Sequence, residues 1–315
     1  MVRLRRIRRN PFRLSLLSKI LILIFILWQL FNWYSISKTD PLEIIQWSGI
    51  PIYVPNIPKH IIQTSKSSSD VNIATNSFIR LNPTYQYIHY NDSIAENFVR
   101  RTMPDYIYQT YISLPEPVMK ADYFRYIVLL VKGGIYTDMD TICLQPIDTW
   151  IKGMIMNRTG LIIGIEADAS LWDVWQGDYA RQIQFVQWTI AAAPGHPILY
   201  EIVKRIADIS RTMIRDMTSE KQILEWTGPA VWTDVITNYI SVKYGFSWRN
   251  FKNLNQPLLI GNDIYVLPIT AFSPGLNRMG SKPITDPDAK VQHFFQGSWR
   301  KSNEKRSIKR KRSSH

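Results

Sequence analysis

The sequence predicts an α/β domain behind an N-terminal membrane-spanning segment. Three observations support this prediction: strand-like apolar runs alternate with longer segments of helical pattern, one apolar stretch is long enough to cross a bilayer, and 45% of the 315 residues are apolar. Alternating strands and helices are typical of layered α/β domains. A chain of this length forms one sizeable core but not two large ones, so we expect a single folded domain.

Charge distribution and cysteine count argue against a nucleic-acid-binding surface and against a cysteine-based crosslink or zinc site. The formal charge is +13, but the basic residues are concentrated in the first 19 and the last 16 residues, and the sequence between them is close to neutral. A folded nucleic-acid-binding surface would need a basic stripe within the domain, so we expect no nucleic-acid partner. The only cysteine, Cys143, excludes an intramolecular disulfide and a thiolate zinc cluster.

Residues 14–36 form an apolar stretch with one charge, Lys19, and are long enough to cross a bilayer as a helix. Segment 1–13 is basic, so the positive-inside rule places the N-terminus in the cytosol and the rest of the chain in a lumen. A cleaved signal peptide is the alternative, but the stretch is long for one and no small-residue cleavage site follows it. We therefore predict a single-pass type II membrane protein with glycosylated sequons at Asn91 and Asn157.

Three further segments follow the predicted membrane span. Residues 37–56 contain three prolines without clear periodicity, which indicates a short stem. The folded domain is predicted at residues 57–299. Residues 300–315 are strongly basic and contain almost nothing apolar, so we expect a disordered tail without a role in the chemistry.

The elements of the domain follow from periodicity. We expect strands at residues 57–63, 85–90, 135–138 and 161–166. Residues 119–131 are apolar on nearly every side and end before two glycines, which predicts a buried helix with a glycine C-cap. Residues 198–213 are apolar on one face only, which predicts an amphipathic helix packed on the domain.

Two carboxylates, Asp138 and Asp140, come directly after the third predicted strand. Side chains at the carboxyl end of a strand in an open α/β sheet face the crevice where ligands bind. If the chain turns after Asp138, both carboxylates can face one ion, and hard oxygen ligands suit Mg²⁺ or Mn²⁺ beside substrate phosphates. The pattern is short, and a polar loop is the alternative interpretation.

Asp122 and Arg125 lie three residues apart on the predicted buried helix, and hence on one face. Burying these charges is costly unless they pair with each other or meet a polar ligand. The two interpretations are a structural ion pair and a pair of groups that hydrogen-bond to sugar hydroxyls beside the metal.

Residues 120–140, with the sequence KADYFRYIVLLVKGGIYTDMD, resemble the signature of glycosyltransferase family 32. Residues 57–64 resemble the first strand of that family and residues 293–299 its C-terminal metal-site motif, so the likeness covers residues 57–299. The resemblance implies a single GT-A (Rossmann-like) domain that binds a nucleotide sugar and retains the anomeric configuration. Four further stretches, residues 164–168, 181–190, 194–197 and 227–234, resemble members that transfer mannose from GDP-mannose in α-1,6 linkage to the core of N-glycans.

The resemblance also implies site residues. Asp140 would bind the metal, Mn²⁺ or Mg²⁺, and Asp138 would contact the ribose and the metal, directly or through water. His293 would be a further ligand, which suits imidazole and Mn²⁺. The residues implied for the donor are Asp122, Arg125 and Tyr136, with Gly297 and Trp299 at the diphosphate. The family commonly has a Trp after its first strand, and residues 63–66 lack it, so the nucleobase side of the pocket stays open.

Glu166 and Asp168 follow an apolar strand and are candidate contacts for the acceptor. Their alternative role is capping or a salt bridge. Trp172 and Trp175 would stack on acceptor sugars or fill the core, whereas Trp188, between apolar neighbours, is expected in the core.

The predicted function is therefore a retaining, metal-dependent mannosyltransferase of the Golgi membrane, with its catalytic domain in the lumen and other Golgi mannosyltransferases as possible partners. Three alternatives stay open. One is transfer to an inositol-phosphoceramide lipid, although such members typically have C-terminal membrane segments and this C-terminus is polar. Another is a non-catalytic subunit of a mannan-building complex, which the intact acidic pair disfavours. The last is a metal-dependent phosphohydrolase, for which the sequence shows no second ligand cluster.

Overall fold

The computed structural model describes residues 47, 49–67, 73–153, 158–176, 179–212 and 219–296. The predicted membrane span at 14–36 and the basic tail at 300–315 lie outside these ranges, as do Asn157, Gly297 and Trp299. Within the described ranges, no helix is both long and apolar enough to span a bilayer.

The described strands form a main sheet and a small second sheet. Their bounds, in chain order, are β1 (His60–Thr64), β2 (Gln86–Tyr90), β3 (Gly134–Thr137), β4 (Thr141–Cys143), β5 (Leu161–Asp168), β6 (Ile183–Phe185), β7 (Thr189–Ala192), β8 (Leu258–Ile260), β9 (Ile264–Leu267) and β10 (Val291–His293). The main sheet has the order β2-β1-β3-β7-β5-β9-β8, with β6 beside β5, and β10 pairs with β4 in the second sheet. Strands β1, β2, β3, β5 and β9 run in one direction, and β7 and β8 run against them.

Helices cover the sheet. Their bounds are α1 (Ile73–Leu81), α2 (Asp92–Thr102), α3 (Asp105–Ser113), α4 (Pro117–Lys132), α5 (Pro197–Thr212), α6 (Glu220–Trp226), α7 (Pro229–Tyr244) and α8 (Ile269–Phe272). Helix α4 lies at the centre of the larger hydrophobic cluster, together with residues of α5 and α7. A second cluster, which includes Ile61, Ile135 and Phe272, forms around β1 and α8. The architecture is thus the predicted α/β class, with a mostly parallel central sheet.

The four predicted strands are confirmed, with shifts at their ends, and so are the two predicted helices. The sequence did not predict the remaining strands, because runs of three or four residues are too short to show a period of two. Strand β7 matters most among these, since it is antiparallel and lies between β3 and β5. A regular doubly wound order would have placed only parallel strands there.

Two glycines carry the chain from α4 into β3. Gly133 caps the helix with φ 64°, and Gly134 has φ 109°. A Cβ on Gly133 would lie 2.5 Å from Cδ of Pro194, and one on Gly134 would lie 2.7 Å from Cβ of His60. Only glycine fits both the left-handed backbone and this close packing. The predicted glycine C-cap is therefore confirmed, and it aims β3 at the edge of the sheet where Asp138 follows.

The folded part extends upstream of the predicted domain boundary at residue 57. Trp47 is 5% exposed and Ile50 is 8% exposed, and both belong to the larger hydrophobic cluster. The Trp47 indole lies 4.4 Å, centroid to centroid, from the ring of Tyr200 in α5. At least this end of segment 37–56 packs on the domain rather than serving as a free stem.

Candidate active site

The loop between β3 and β4 places Asp138 and Asp140 at the carboxyl edge of the main sheet. The Asp138 amide still donates to the carbonyl of Trp188 (2.9 Å), which continues the pairing of β3 with β7. The Asp138 carbonyl then accepts from Thr141 Oγ1 (2.6 Å) and from Gln63 Nε2 (3.1 Å), so the chain turns there. This turn brings both carboxylates toward one point, as the sequence predicted.

His293 reaches the acidic pair through the second sheet. Pairing of β10 with β4 places His293 opposite Thr141, directly after Asp140 in the chain. The amide of Phe294 donates to the Asp140 carbonyl (2.9 Å), and the amide of Gln296 donates to Asp140 Oδ2 (3.1 Å). His293 Nε2 lies 3.0 Å from Asp140 Oδ1. Two residues 153 positions apart thus become neighbours because of three residues of antiparallel pairing.

The three side chains have the chemistry of a divalent-metal site. Asp138, Asp140 and His293 each offer a ligand atom, and these atoms lie within 4.8 Å of one another. Carboxylate oxygen with imidazole nitrogen suits Mn²⁺, and oxygen ligands suit Mg²⁺. His293 Nδ1 is buried and has no hydrogen-bond partner within the described residues. The ring nitrogen that faces the acidic pair is Nε2, 3.0 Å from Asp140 Oδ1, and a neutral imidazole can coordinate an ion through it. The residues therefore fit a metal.

Electrostatics distinguish the two carboxylates. Burial raises the pKa of Asp138 above its ordinary value, and the charge of Arg125 only partly opposes this. Burial acts in the same direction on Asp140, but the hydrogen bond and the charge of His293, with the amide of Gln296, outweigh it and lower its pKa. Asp140 is thus already stabilised as an anion by the protein, whereas Asp138 lacks full compensation without a further cation.

Asp122 and Arg125 form a buried network with Asp138. Arg125 Nη2 lies 3.1 Å from Asp122 Oδ1 and 3.2 Å from Asp138 Oδ1. The side chains of Asp122 and Arg125 are 2% and 4% exposed. Gln187 Nε2 donates to Asp122 Oδ1 (2.9 Å), and Thr227 Oγ1 donates to Asp122 Oδ2 (3.0 Å). Burial raises the pKa of Asp122 to about 6 against the opposing charge of Arg125.

This network decides part of the question left open by the sequence. The structural ion pair between Asp122 and Arg125 is present, and both oxygens of Asp122 already accept from protein donors. Arg125 also touches Asp138, so the pair orients a carboxylate of the metal cluster. Direct contact of Asp122 and Arg125 with a donor sugar stays a prediction.

Tyr136 lies beside the same carboxylate. Its hydroxyl donates to Asp138 Oδ1 (2.9 Å) and lies 3.1 Å from Thr64 Oγ1. The guanidinium of Arg125 lies over its ring, 5.1 Å from the centroid. The ring is 1% exposed, so Tyr136 acts on a ligand at most through its hydroxyl and through Asp138.

Glu166 sits at a β-bulge near the cluster. Ile165 pairs with Phe185 and Ala167 with Gln184, so Glu166 is the extra residue of β5 in its pairing with β6. Its Oε2 is buried and has no hydrogen-bond partner within the described residues. Burial raises the pKa of Glu166 to about 7, although the hydrogen bond from Gln184 and the charge of His293 oppose this. Bulges commonly re-aim a side chain beside an active site, and this one presents a carboxylate oxygen that the protein leaves free.

Asp168 has a structural role in addition to any contact with an acceptor. Its Oδ1 accepts from the Ser170 amide (3.1 Å), and its Oδ2 accepts from the Asn253 amide (2.5 Å). Both carboxylate oxygens thus stabilise loop backbone, which is neither the helix cap nor the salt bridge of the alternative interpretation. Asp168 joins the loop after β5 to the loop before β8, across 85 positions of the chain.

The three tryptophans differ in position. Trp188 is 5% exposed, in agreement with its predicted place in the core, and its indole donates to the Phe272 carbonyl (3.2 Å). Trp172 and Trp175 are half-buried in the loop after β5.

Asn91, a predicted glycosylation site, caps α2 by accepting from the Ile94 amide (2.9 Å). Its glycosylation stays a prediction.

Sequence reasoning missed two glutamines and a threonine that organise the site. The side-chain amide of Gln187 donates to Asp122 and accepts from the hydroxyl of Tyr126. The backbone carbonyl of Gln187 accepts from Arg125. Thr227 donates to the other oxygen of Asp122. Gln184 is 3% exposed and accepts from the amides of residues 180 and 181, which turns its amide toward Glu166. A signal was available, since Gln184, Gln187 and Thr189 are the only polar residues in the run from residue 183 to residue 193.

Comparison with known proteins adds to this geometry. A family model described as "Glycosyltransferase sugar-binding region containing DXD motif" matches residues 68–155, which include both members of the acidic pair. The "Initiation-specific alpha-1,6-mannosyltransferase" of Schizosaccharomyces pombe is 48% identical over 259 residues, covering 79% of this chain and 65% of that protein. The protein of the same name from Candida albicans is 37% identical over 297 residues, covering 85% of this chain and 74% of that protein. The chain belongs to this glycosyltransferase family.

Membership confirms the predicted resemblance to family 32. This glycosyltransferase spans just under two thirds of the length of its S. pombe relative. "Inositol phosphoceramide mannosyltransferase 2" of S. pombe is also similar, at 32% identity over 141 residues, covering 42% of this chain and 39% of that protein. The similarity to the two initiation-specific proteins is both higher and longer.

Proposed function

We propose that this glycosyltransferase transfers mannose from GDP-mannose to an N-glycan core, in α-1,6 linkage and with retention of configuration. The observation that carries the proposal is the convergence of Asp138, Asp140 and His293 at the carboxyl edge of the sheet, in a family defined by its acidic motif. The names of the two initiation-specific relatives given above support mannose and the α-1,6 linkage. The GDP-mannose donor and the N-glycan acceptor are what the family resemblance of the sequence implies.

The cluster would hold one divalent ion, Mn²⁺ or Mg²⁺. Such an ion, when bound, neutralises charge on a departing diphosphate. Asp140 is fixed for this role by its hydrogen bonds from His293 and from the amide of Gln296. Asp138 is fixed by Arg125 and by the hydroxyl of Tyr136. Because the protein holds both carboxylates in place beforehand, little reorganisation is needed when a charged donor binds.

Arg125 keeps the site anionic in spite of its burial. Asp122 and Asp138 both contact its Nη2, so one guanidinium compensates two carboxylates. A low-polarity environment strengthens electrostatic interactions with a bound diphosphate, but it also penalises unpaired charge. The network thus offsets part of the cost of burying these carboxylates, and a bound cation would offset more of it.

We also propose that the protein is a type II membrane protein of the Golgi with a lumenal catalytic domain. The apolar stretch 14–36, the basic segment before it and the sequons at Asn91 and Asn157 support this location. Glycosidase-sensitive mobility of the full-length protein in sealed microsomes, with protection of the domain from added protease, is the expected result. Complete digestion of the domain would contradict the proposal.

The proposed reaction is tested with the full-length protein purified in detergent. Each of several nucleotide sugars is offered with an N-glycan core and, separately, with inositol phosphoceramide, with Mn²⁺ or with a chelator. We expect transfer only from GDP-mannose, to the glycan, and only with the metal. Transfer to the lipid instead would favour the alternative suggested by the inositol phosphoceramide relative, and no transfer to either acceptor would favour a non-catalytic subunit.

A further inference from the structure

A cavity of about 520 Å³ opens beside the candidate active site, in the half of the sheet formed by β5, β8 and β9. Its walls come from the loop after β5, the loop before β8 and the segment from α8 to residue 288. Its volume lies within the roughly 300–1,000 Å³ typical of small-molecule sites. None of the metal-cluster residues lines it, so it is distinct from the metal-binding part of the active site.

The cavity is connected to the metal cluster through one short helix. Ile269 and Thr270 of α8 line the cavity, and Phe272 of the same helix accepts the indole N–H of Trp188. Trp188 in turn stacks on His293 with centroids 4.5 Å apart. On the β5 side, Ile165 lines the cavity and precedes Glu166. A molecule in the cavity would therefore extend along the same edge of the sheet as the acidic pair.

The lining does not suit a phosphorylated ligand. Its charged residues are Asp168, Asp288 and Lys282, so carboxylates outnumber the single cation. Lys282 Nζ already pairs with Asp288 Oδ2 at 2.8 Å. Phosphate recognition relies on arginine or lysine with free donors, and the described lining offers neither.

The lining does suit a neutral carbohydrate. Trp172 offers an aromatic surface, although the guanidinium of Arg278 lies over its ring, 5.7 Å from the centroid. Asn253, Asn255 and Gln256 offer amides that both donate and accept. The side chains of Asn255 and Gln256 are exposed and make no hydrogen bond to other described residues. Amides with free capacity beside an aromatic ring match the alternating hydroxyl and C–H surfaces of a sugar.

The cavity is also held in shape before a ligand arrives. Asp168 Oδ2 fixes the Asn253 amide at 2.5 Å, and Asn253 has the left-handed value φ 53°. Thr270 Oγ1 accepts from the Lys282 amide (3.1 Å), which fixes the opposite wall. Asparagine tolerates this backbone region better than most residues, so the two hydrogen bonds hold the walls of the cavity at little conformational cost.

We propose that this cavity binds the acceptor as a neutral oligosaccharide, with Trp172, Asn255 and Gln256 as its main contacts. This inference rests on the proposed function, because it names the place where the second substrate of that reaction lies. It also assigns Asp168 to shaping the cavity through Asn253 rather than to contacting the reacting hydroxyl.

The test measures binding without any donor, so that it does not depend on turnover. The full-length protein in detergent is titrated with a mannose oligosaccharide, by calorimetry or ligand-observed NMR, in the presence of chelator. For Trp172→Ala and Asn255→Ala we expect the dissociation constant to rise about tenfold. We also expect the acceptor KM in the transfer assay to rise to the same extent while the KM for GDP-mannose is unchanged.

Two control variants match the chemistry of the test variants. Trp175→Ala removes a half-buried tryptophan of the same loop that does not line the cavity, and Asn262→Ala removes an exposed asparagine elsewhere. Both should bind the oligosaccharide as the wild type does. Wild-type affinity in Trp172→Ala and Asn255→Ala would overturn the assignment, even if transfer itself is observed. Normal oligosaccharide binding without any transfer would instead overturn the proposed function and leave the cavity assigned.

Discussion

The imidazole of His293 lies parallel to the indole of Trp188, with ring centroids 4.5 Å apart and planes inclined by 20°. Phe295 packs edge-on against both rings. Trp188 is itself fixed by its hydrogen bond to the Phe272 carbonyl. Residues that orient a metal ligand commonly affect metal affinity almost as strongly as the ligands themselves.

We therefore expect Trp188→Leu to raise the dissociation constant for Mn²⁺ by about 10-fold or more. The stacking surface that orients His293 is lost, while the ligand remains. Mn²⁺ titration followed by electron paramagnetic resonance measures the change. Trp150→Leu is the control, because Trp150 is equally buried and packs on Phe272 without touching His293. If both variants lose stability and neither loses affinity, Trp188 is only a core residue.

Asp140→Asn should fold normally and lose nearly all transfer. The amide keeps the size of the side chain but removes the charge that the ion needs. Added Mn²⁺ with GDP should raise the melting temperature of the wild type and have much less effect on the variant, by linkage of binding to stability. Asp208→Asn, at an aspartate on α5 whose side chain is 40% exposed and which lies outside the metal cluster, should behave like the wild type in both measurements. A chelator-resistant wild type would contradict the metal-dependent mechanism.

Arg125→Ala should lower the free energy of unfolding by about 3–5 kcal/mol, because it leaves Asp122 buried without its cation. Adding Asp122→Asn to Arg125→Ala should recover part of this loss, since the second substitution removes the uncompensated charge. Urea denaturation of the two single variants and the double variant measures the coupling. Strictly additive effects would show that the ion pair does not stabilise the fold.

Glu166→Gln should stabilise the protein at pH 8 and have little effect at pH 4. Folding raises the pKa of Glu166 to about 7, so the native state holds a proton that the unfolded state releases above about pH 4.5. The contribution of Glu166 to the free energy of unfolding of the wild type is therefore fully present below pH 4.5, and it is lost as the pH rises through 7. Thermal melts of both proteins in chelator, from pH 4 to pH 8, should diverge over this window. Parallel curves for the wild type and Glu166→Gln would contradict the raised pKa.

The sequence predicts the parts of the site that depend on neighbours in the chain. Asp138 and Asp140 follow a strand, and Gly133 ends a helix, and each of these follows from a few adjacent residues. Pairing of His293 with Asp140 rests on three residues of antiparallel strand, which carry no detectable period. The sequence indicated a metal-binding role for His293 only through the resemblance of residues 293–299 to the metal-site motif of family 32.

Glu166 and Asp168 show a different limit. Both were expected to be acceptor contacts, because both are carboxylates after an apolar run. The structure separates them, since a bulge leaves Glu166 Oε2 without a partner while Asp168 accepts from two backbone amides. A bulge depends on the register of the partner strand, and that register is not encoded in the residues around Glu166.

Strand β7 has a consequence for how this enzyme opens. Ala191 and Ala192 pair with β3 on one edge and with β5 on the other, so a single segment is bonded to both halves of the sheet. Hinge motion between two lobes requires a connection that bends, such as a loop or the end of an element. A strand that is hydrogen-bonded to a neighbour on both sides does not bend in this way. The main sheet therefore provides no hinge, and we expect motion that accompanies substrate binding to be confined to the loops along its carboxyl edge.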